Sequence, residues 1–365
     1  MPGTAALPNY AIVERPGFSV LLDHVRWLSA FAVLCGHSRN ALFLPYVQFP
    51  DLGLAGKVFY ALTNLQNEAV ICFFVISGLL VGGKLLDYAG RSEFPLRAYV
   101  IDRLSRLYVV LIPALALSYG VAALGYCQGD GVSEWLGAVF YLQHILVRNT
   151  ACNMPLWSLA NEFWYYALGL AAVLAWRGSR LALGAGIAVA ALLLLADSWN
   201  SQNVLLYLPF WAAGMMVFWL PRPVTGRWAA LALFGAALLV SRSHILDGIF
   251  WLRDALIAMA LVLFLATAAH KPSSGHPGRS ADWGRRLAGF SFTLYLTHWP
   301  VLLLYTGWVE ANYDALYPLD PRRIGSYATW FGAVLVCVAF AASAALVTEA
   351  KTAHVRAFVR TKLGA

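Results

Sequence analysis

The residues of this chain that could do chemistry sit inside long apolar runs, where ionisable groups are costly. Arg26 and His37 both lie in LDHVRWLSAFAVLCGHSRN, residues 22–40, and are eleven residues apart. At about 3.6 residues per turn that is almost three whole turns, so both side chains share one face of a helix. Their Cα atoms would be roughly 16 Å apart along the axis, about half a bilayer core. Arg26 is then a cation near one interface. His37 is a proton acceptor near mid-depth, with the near-neutral ordinary pKa that suits a general base. The plainer alternative is an arginine that snorkels to the interface and a histidine hydrogen-bonded between helices. Arg39 and Asn40 make the far end of this stretch unusually polar.

Four further stretches carry polar groups in apolar settings. Asn67 and Glu68 precede FFVISGLL (73–80), whose Ser77-Gly78 pair and Gly78/Gly82 spacing let helix backbones approach closely. The following GLLVGGK superficially fits a phosphate loop, but Leu85 replaces the required Ser/Thr and the context is an apolar helix, so it is rejected. Arg103 and Arg106, three apart, share a helix face. They either set topology or form a paired guanidinium site for phosphates, which arginine binds bidentately. In PLWSLANEFWYY (155–166), Ser158 and Glu162 share a face, with Trp157 beside them. Glu162 is either a structural acid paired with an arginine, or a carboxylate that orients and charges His37 or helps hold a sugar. FSFTLYLTHWP (290–300) places Tyr295 and His298 in mid-span, and Pro300 is expected to kink the helix and free a carbonyl. A second intramembrane histidine favours a polar cavity, against a simple helix–helix hydrogen bond.

The elements that position these groups follow from composition. Of 365 residues 60% are hydrophobic and 12% charged, with 14 Trp, 17 Tyr and 20 Phe, and the mean hydropathy is +0.65. Soluble domains carry about twice that charge, so the expectation is an all-α polytopic bundle. About ten membrane helices are expected, near 24–44, 66–86, 104–125, 156–176, 181–197, 204–220, 228–243, 250–270, 288–306 and 327–349. The net charge of +8 falls between the apolar runs and reads as topology rather than nucleic-acid binding. With the N-terminus inside, about 19 of the 26 Lys and Arg lie at cytoplasmic positions, which places both termini in the cytoplasm. No cleavable signal peptide is expected in the mixed, proline-containing residues 1–20.

Three parts are expected: 1–20 a cytoplasmic segment, 21–350 an integral-membrane domain, and 351–365 a basic cytoplasmic tail. Residues 271–280 (KPSSGHPGRS) read as a flexible loop, and 135–147 (WLGAVFYLQHILV) as an interfacial or re-entrant helix. The five cysteines form no metal pattern. Cys35, Cys72 and Cys337 read as packing residues. Cys127 and Cys152 flank one outer loop, as a disulfide or as two free thiols.

Taken together, five of these stretches resemble the integral-membrane acyltransferase family 3, which includes bacterial O-acetyltransferases of surface polysaccharides. Arg26 and His37 match the spacing of its first-helix motif, and FFVISGLLV is similar to its second helix. RLSRLY matches its R-x-x-R stretch at Arg103 and Arg106. LWSLANEFWYY is similar to its W-S-L-x-x-E segment at Trp157, Ser158 and Glu162. FSFTLYLTHWPVLLL resembles its Y-x-x-H-x-P helix at Tyr295, His298 and Pro300. The likeness covers residues 20 to about 349 in the expected order. His24-Val25 stands where many members have a small or glycine-rich turn, and no esterase-like domain is expected after the tenth helix.

The resemblance implies a membrane-bound transferase moving an acyl group, acetyl first, from acetyl-CoA or another acyl-CoA co-substrate to a hydroxyl of a glycan or glycolipid. No cofactor is bound permanently and no metal is expected. His37 and Glu162 are the expected catalytic pair, with Arg26, Arg103 and Arg106 on the donor and Ser158, Trp157, Tyr295 and His298 in substrate binding. The bacterial inner membrane is the expected location, with no nucleic acid among the partners. The alternative function is a transporter or flippase of lipid-linked sugars, which predicts inverted repeats that are not evident.

Overall fold

The computed structural model describes residues 10–197, 204–220, 226–246, 248–269, 279–313 and 317–364. The expected outer segment 198–203 and the 271–278 part of the flexible loop lie outside the described residues. The chain is helical, and the described residues contain no β-strand, only isolated bridges between Phe43 and Leu319 and between Gln143 and Val147. The helices are α1 Pro16–Leu42, α2 Leu54–Leu62, α3 Gln66–Ser77, α4 Gly83–Ala89, α5 Leu96–Ala123, α6 Val132–Val139, α7 Leu156–Trp176 and α8 Arg180–Asp197. They continue with α9 Val204–Met215, α10 Arg227–Ser241, α11 Phe250–Ala269, α12 Arg279–Ala288, α13 Ser291–Tyr313, α14 Ile324–Ala345 and α15 Thr352–Leu363.

Each apolar stretch expected to be helical contains a helix. By length and composition, five described spans can cross a membrane, or six if the bent pair α12–α13 counts as one. Large apolar side chains such as Leu181, Leu239 and Phe331 are exposed on the outside of the bundle, as a chain solvated by lipid requires. The molecule is a multi-pass membrane protein.

Boundaries moved where local chemistry extends a helix. α1 begins at Pro16, not near 24, because proline at the first helical position has its backbone preset and needs no N–H partner. The expected helix over 135–147 is helical only to Val139; Tyr141 and His144 then adopt positive φ and turn the chain back. The bend in the ninth expected span lies between Ala288 and Ser291, at 48°, and not at Pro300. α13 runs through Pro300. A proline removes the hydrogen bond to the carbonyl four residues earlier. That carbonyl, Leu296, instead accepts from Asn153 Nδ2 at 2.9 Å.

α1 packs on α3, α12, α13 and α14. One of its faces carries Phe18, Leu22 and Val33 into the main apolar core, and another carries Ala30, Leu34 and Leu42 into a second core with α13 and α14. α3 runs through a π-helical turn, Gly78–Gly82, into α4, so GLLVGGK is helical and forms no phosphate loop. There α3 meets α9 backbone to backbone: a Cβ at Gly78 would lie 1.6 Å from the Trp211 carbonyl oxygen. A Cβ at Gly214 would lie 1.9 Å from that of Val75. Only glycine permits this approach.

The two ends of the bundle differ. At one, the arginine end, α15 lies along α5, with Arg356 and Arg360 on Asp102 at 3.2 and 2.7 Å. At the other, Cys127 and Cys152 are joined in a disulfide. Asp130 supports this disulfide end, accepting from the Ala151 and Cys152 N–H groups at 2.9 and 3.1 Å and from the Thr150 hydroxyl.

Candidate active site

A cavity of about 320 Å³ opens near the arginine end, between α1, α3, α5, α7 and α13. Its mouth carries three guanidiniums: Arg26 from α1, and Arg103 and Arg106 from one face of α5. Their counter-charges are fewer. Asp23 lies 3.7 Å from Arg26, and Glu349, just after α14, lies 3.9 Å from both Arg26 and Arg106. Glu349 Oε2 also accepts from the Thr293 N–H at 3.1 Å, in the first turn of α13. Helix N-termini carry partial positive charge, so the first turn of α13 adds to the positive character of the mouth. Glu349 was not identified from the sequence; its only signal there is an acid directly after the last long apolar run.

The wall between mouth and depth is apolar, with Phe73, Phe74 and Leu107. The deep end is polar. Ser158 Oγ and Tyr295 Oη are 2.6 Å apart, and each also reaches the Pro155 carbonyl. Glu162 accepts from Ser77 Oγ at 2.6 Å and from the Tyr166 hydroxyl, while Trp211 Nε1 donates to Ser77 at 3.2 Å. Ser158 thus has a phenol beside it rather than a base. The cavity gathers Arg26, Arg103, Arg106, Ser158, Glu162 and Tyr295 from four helices. Ser77 and Tyr166 join them unforeseen, although the Ser-Gly pair and the double tyrosine were visible in the sequence.

Three expectations need correction. First, Trp157 is not part of the cavity lining; it packs among Phe74 and Tyr207, because successive residues of α7 point about 100° apart and residue 157 turns away from the face of Ser158. Second, His37 and His298 do not line the cavity, whose wall ends at Tyr295. Tyr295 sits one turn before His298, with the two rings 6.0 Å apart, and Phe73 packs edge-on against Tyr295. Third, Glu162 does not orient His37: its carboxylate is engaged by Ser77 and Tyr166, and the partner of His37 is His298.

The two imidazoles form a directional pair. His37 Nδ1 and His298 Nε2 are 2.9 Å apart, and His298 Nδ1 lies 3.1 Å from the Leu294 carbonyl. A carbonyl only accepts, so His298 Nδ1 carries the proton and its Nε2 holds a lone pair. His37 Nδ1 is therefore the donor, and His37 Nε2 is left with a lone pair. His298 holds the tautomer of His37 in the way a carboxylate does behind a catalytic histidine. The rings lie nearly parallel at 5.2 Å, and Trp299 closes against the edge of His37 while donating to the Ala151 carbonyl. Trp299 thereby ties this pair to the disulfide end.

The acyltransferase-domain profile of acyltransferase family 3 matches residues 20–349. No curated protein and no solved structure matches the chain. The match spans both the arginine-mouthed cavity and the paired imidazoles, and the chain belongs to acyltransferase family 3.

Proposed function

We propose that this protein is an O-acyltransferase that moves an acyl group, acetyl first, from acyl-CoA to a hydroxyl of a glycan or glycolipid. It would cross a bacterial inner membrane about ten times with both termini in the cytoplasm. The bonded Cys127–Cys152 pair supports an outer, oxidising side at that end of the bundle. The observation that carries the reading is a cavity mouth lined by three guanidiniums, with a directional imidazole pair just beyond Tyr295.

In this scheme Arg26, Arg103 and Arg106 hold the donor's phosphates at the cytoplasmic face, and its thioester arm lies along the apolar wall. Ser158 offers a hydroxyl donor at the deep end for the thioester carbonyl oxygen. Glu162, held by Ser77 and Tyr166, fixes the polar floor. An acceptor hydroxyl meets His37 from the disulfide end, and Tyr295 turns aside to join the two compartments. The acceptor oxygen bonds to the carbonyl carbon as its proton passes to His37 Nε2, with His298 stabilising the resulting charge. The C–S bond breaks, and the proton is returned to the leaving sulfur, giving an ester and free CoA. The residues supply binding and proton transfer, with acyl-CoA as co-substrate and no resident cofactor.

The test pairs two measurements. Acetyl-CoA raises the melting temperature of the purified protein, since binding to the folded state stabilises it. Mass spectrometry of surface glycans from cells with and without the gene shows an acyl mass that His37→Ala removes while membrane insertion persists. Wild-type acylation in that variant, or a protein that moves lipid-linked sugars without any response to acyl-CoA, overturns the proposal.

A further inference from the structure

A second cavity, of about 640 Å³, lies between α1, α3, α10 and α11. α1 packs on α3, α3 on α11 and α11 on α10, so α1 and α10 face each other across it. On α1 it is lined by Leu21, His24 and Leu28. At about 100° per residue these point to the side of the helix opposite Arg26 and His37. The cavity is therefore separate from the arginine-mouthed one. Leu28 and, on α10, Leu231 are both lining residues and both exposed, so it is a groove open to the outside of the bundle.

Along α1 the lining runs from Gly17 to Ala32, about 22 Å at the helical rise. That exceeds half of a bilayer core of about 30 Å, so the groove holds one leaflet's acyl chain and part of the headgroup region above it. The lining carries little charge. Glu68 is 1% exposed; one carboxylate oxygen pairs with Arg242 and the other is buried, so the charge is withheld from the groove. His24 gives Nδ1 to the Val20 carbonyl at 2.8 Å. Arg242 follows the last turn of α10 beside Glu68, so Arg227, the first residue of that helix, stands roughly 22 Å away at the Gly17 end. Arg227 is exposed, lies over the Trp228 ring and forms no ion pair among the described residues. An arginine beside a tryptophan is the composition of a headgroup-level rim.

We infer that this groove binds one anionic phospholipid of the leaflet at the arginine end, its acyl chain lying along α1 and its phosphate on Arg227. The guanidinium has no rival carboxylate there, and a basic residue at the rim of a slot between membrane helices selects a charged headgroup. A chain in the groove touches protein on several sides, so it is held more firmly than lipid on the convex outer surface. The tail of a glycolipid acceptor does not fit this place, because its sugar would emerge on the side of α1 turned away from His37.

The test uses the full-length protein, purified in mild detergent, stripped of lipid and titrated with dioleoylphosphatidylglycerol or dioleoylphosphatidylcholine under native mass spectrometry. Wild type retains one phosphatidylglycerol, bound roughly fivefold tighter than phosphatidylcholine, as one arginine at a membrane surface provides. Arg227→Gln loses that preference. Leu231→Trp fills the groove and weakens binding of both lipids at least about tenfold, whereas Leu181→Trp, on the exposed side of α8, changes nothing. Equal binding of the two lipids by wild type, or an undiminished preference in Arg227→Gln, overturns the proposal. So does wild-type retention in Leu231→Trp, which marks the lipid as general bilayer contact, and so does retention of neither phospholipid, which leaves the groove to another occupant. Should Leu231→Trp fail to fold, Arg227→Gln, at an exposed side chain, still decides.

Discussion

Replacing His298 with phenylalanine separates the imidazole pair from every other part of the site. The substitution keeps an aromatic ring nearly parallel to His37 at the 5.2 Å spacing of the two rings. It removes the acceptor that His37 Nδ1 uses at 2.9 Å and the donor to the Leu294 carbonyl. Leaving a buried ring nitrogen without its partner costs about 1–3 kcal/mol, which is roughly 5- to 150-fold in rate if the bond is needed in the transition state. Loss of the base itself, in His37→Ala, is expected to cost about 10²- to 10⁴-fold. If His298 acts through His37, the double variant is no slower than His37→Ala alone, because residues acting as a unit are not additive. The assay is acyl transfer from labelled acetyl-CoA in membranes containing the native acceptor, read as initial rates. KM for acetyl-CoA stays unchanged in all three variants, because neither ring touches the arginine-mouthed cavity. Losses that add in the double variant, or a His298→Phe rate equal to wild type, would refute the relay.

Gly78→Ala drives a Cβ into the Trp211 carbonyl, where the gap is 1.6 Å against about 3.3 Å for an ordinary C···O contact. Because backbone cannot turn aside, the melting temperature falls by the equivalent of ~1–3 kcal/mol or more, whereas Gly235→Ala, facing open space, is neutral. Cys152→Ser opens a crosslink with a sequence separation of 25 and lowers stability by about 3 kcal/mol, read from thermal unfolding with and without reductant. In the loop at the disulfide end, the Ser133 hydroxyl and the Gly131 N–H hold the Glu134 carboxyl below its ordinary pKa. Its contribution is therefore present above the ordinary carboxylate range and is lost as pH falls through the lowered value. Local hydrogen exchange at α6 in wild type and Glu134→Gln should differ near pH 7 and converge in acid; a constant difference contradicts the assignment.

Some of this molecule was legible before any coordinates. Apolar runs broken by loops that hold most of the Lys and Arg determine a helical membrane protein, because lipid permits little else. The residues worth attention were also legible: a mid-span histidine or acid is expensive enough to be kept only for a purpose. Arg103 and Arg106 had to share a face, as helical spacing alone requires.

What the spacing could not decide was which polar groups meet across helices. Glu162 was the reasonable partner for His37, but the packing of α7 against α3 puts Ser77 within reach of that carboxylate instead. Two histidines separated by most of the chain form one directional pair only because α13 packs on α1. Glu349 reaches the arginine mouth only because α14 returns the chain to that end. Sequence periodicity reports which face of its own helix a side chain occupies. The neighbour it finds there is set by interhelical packing, which lives in contacts far apart along the chain.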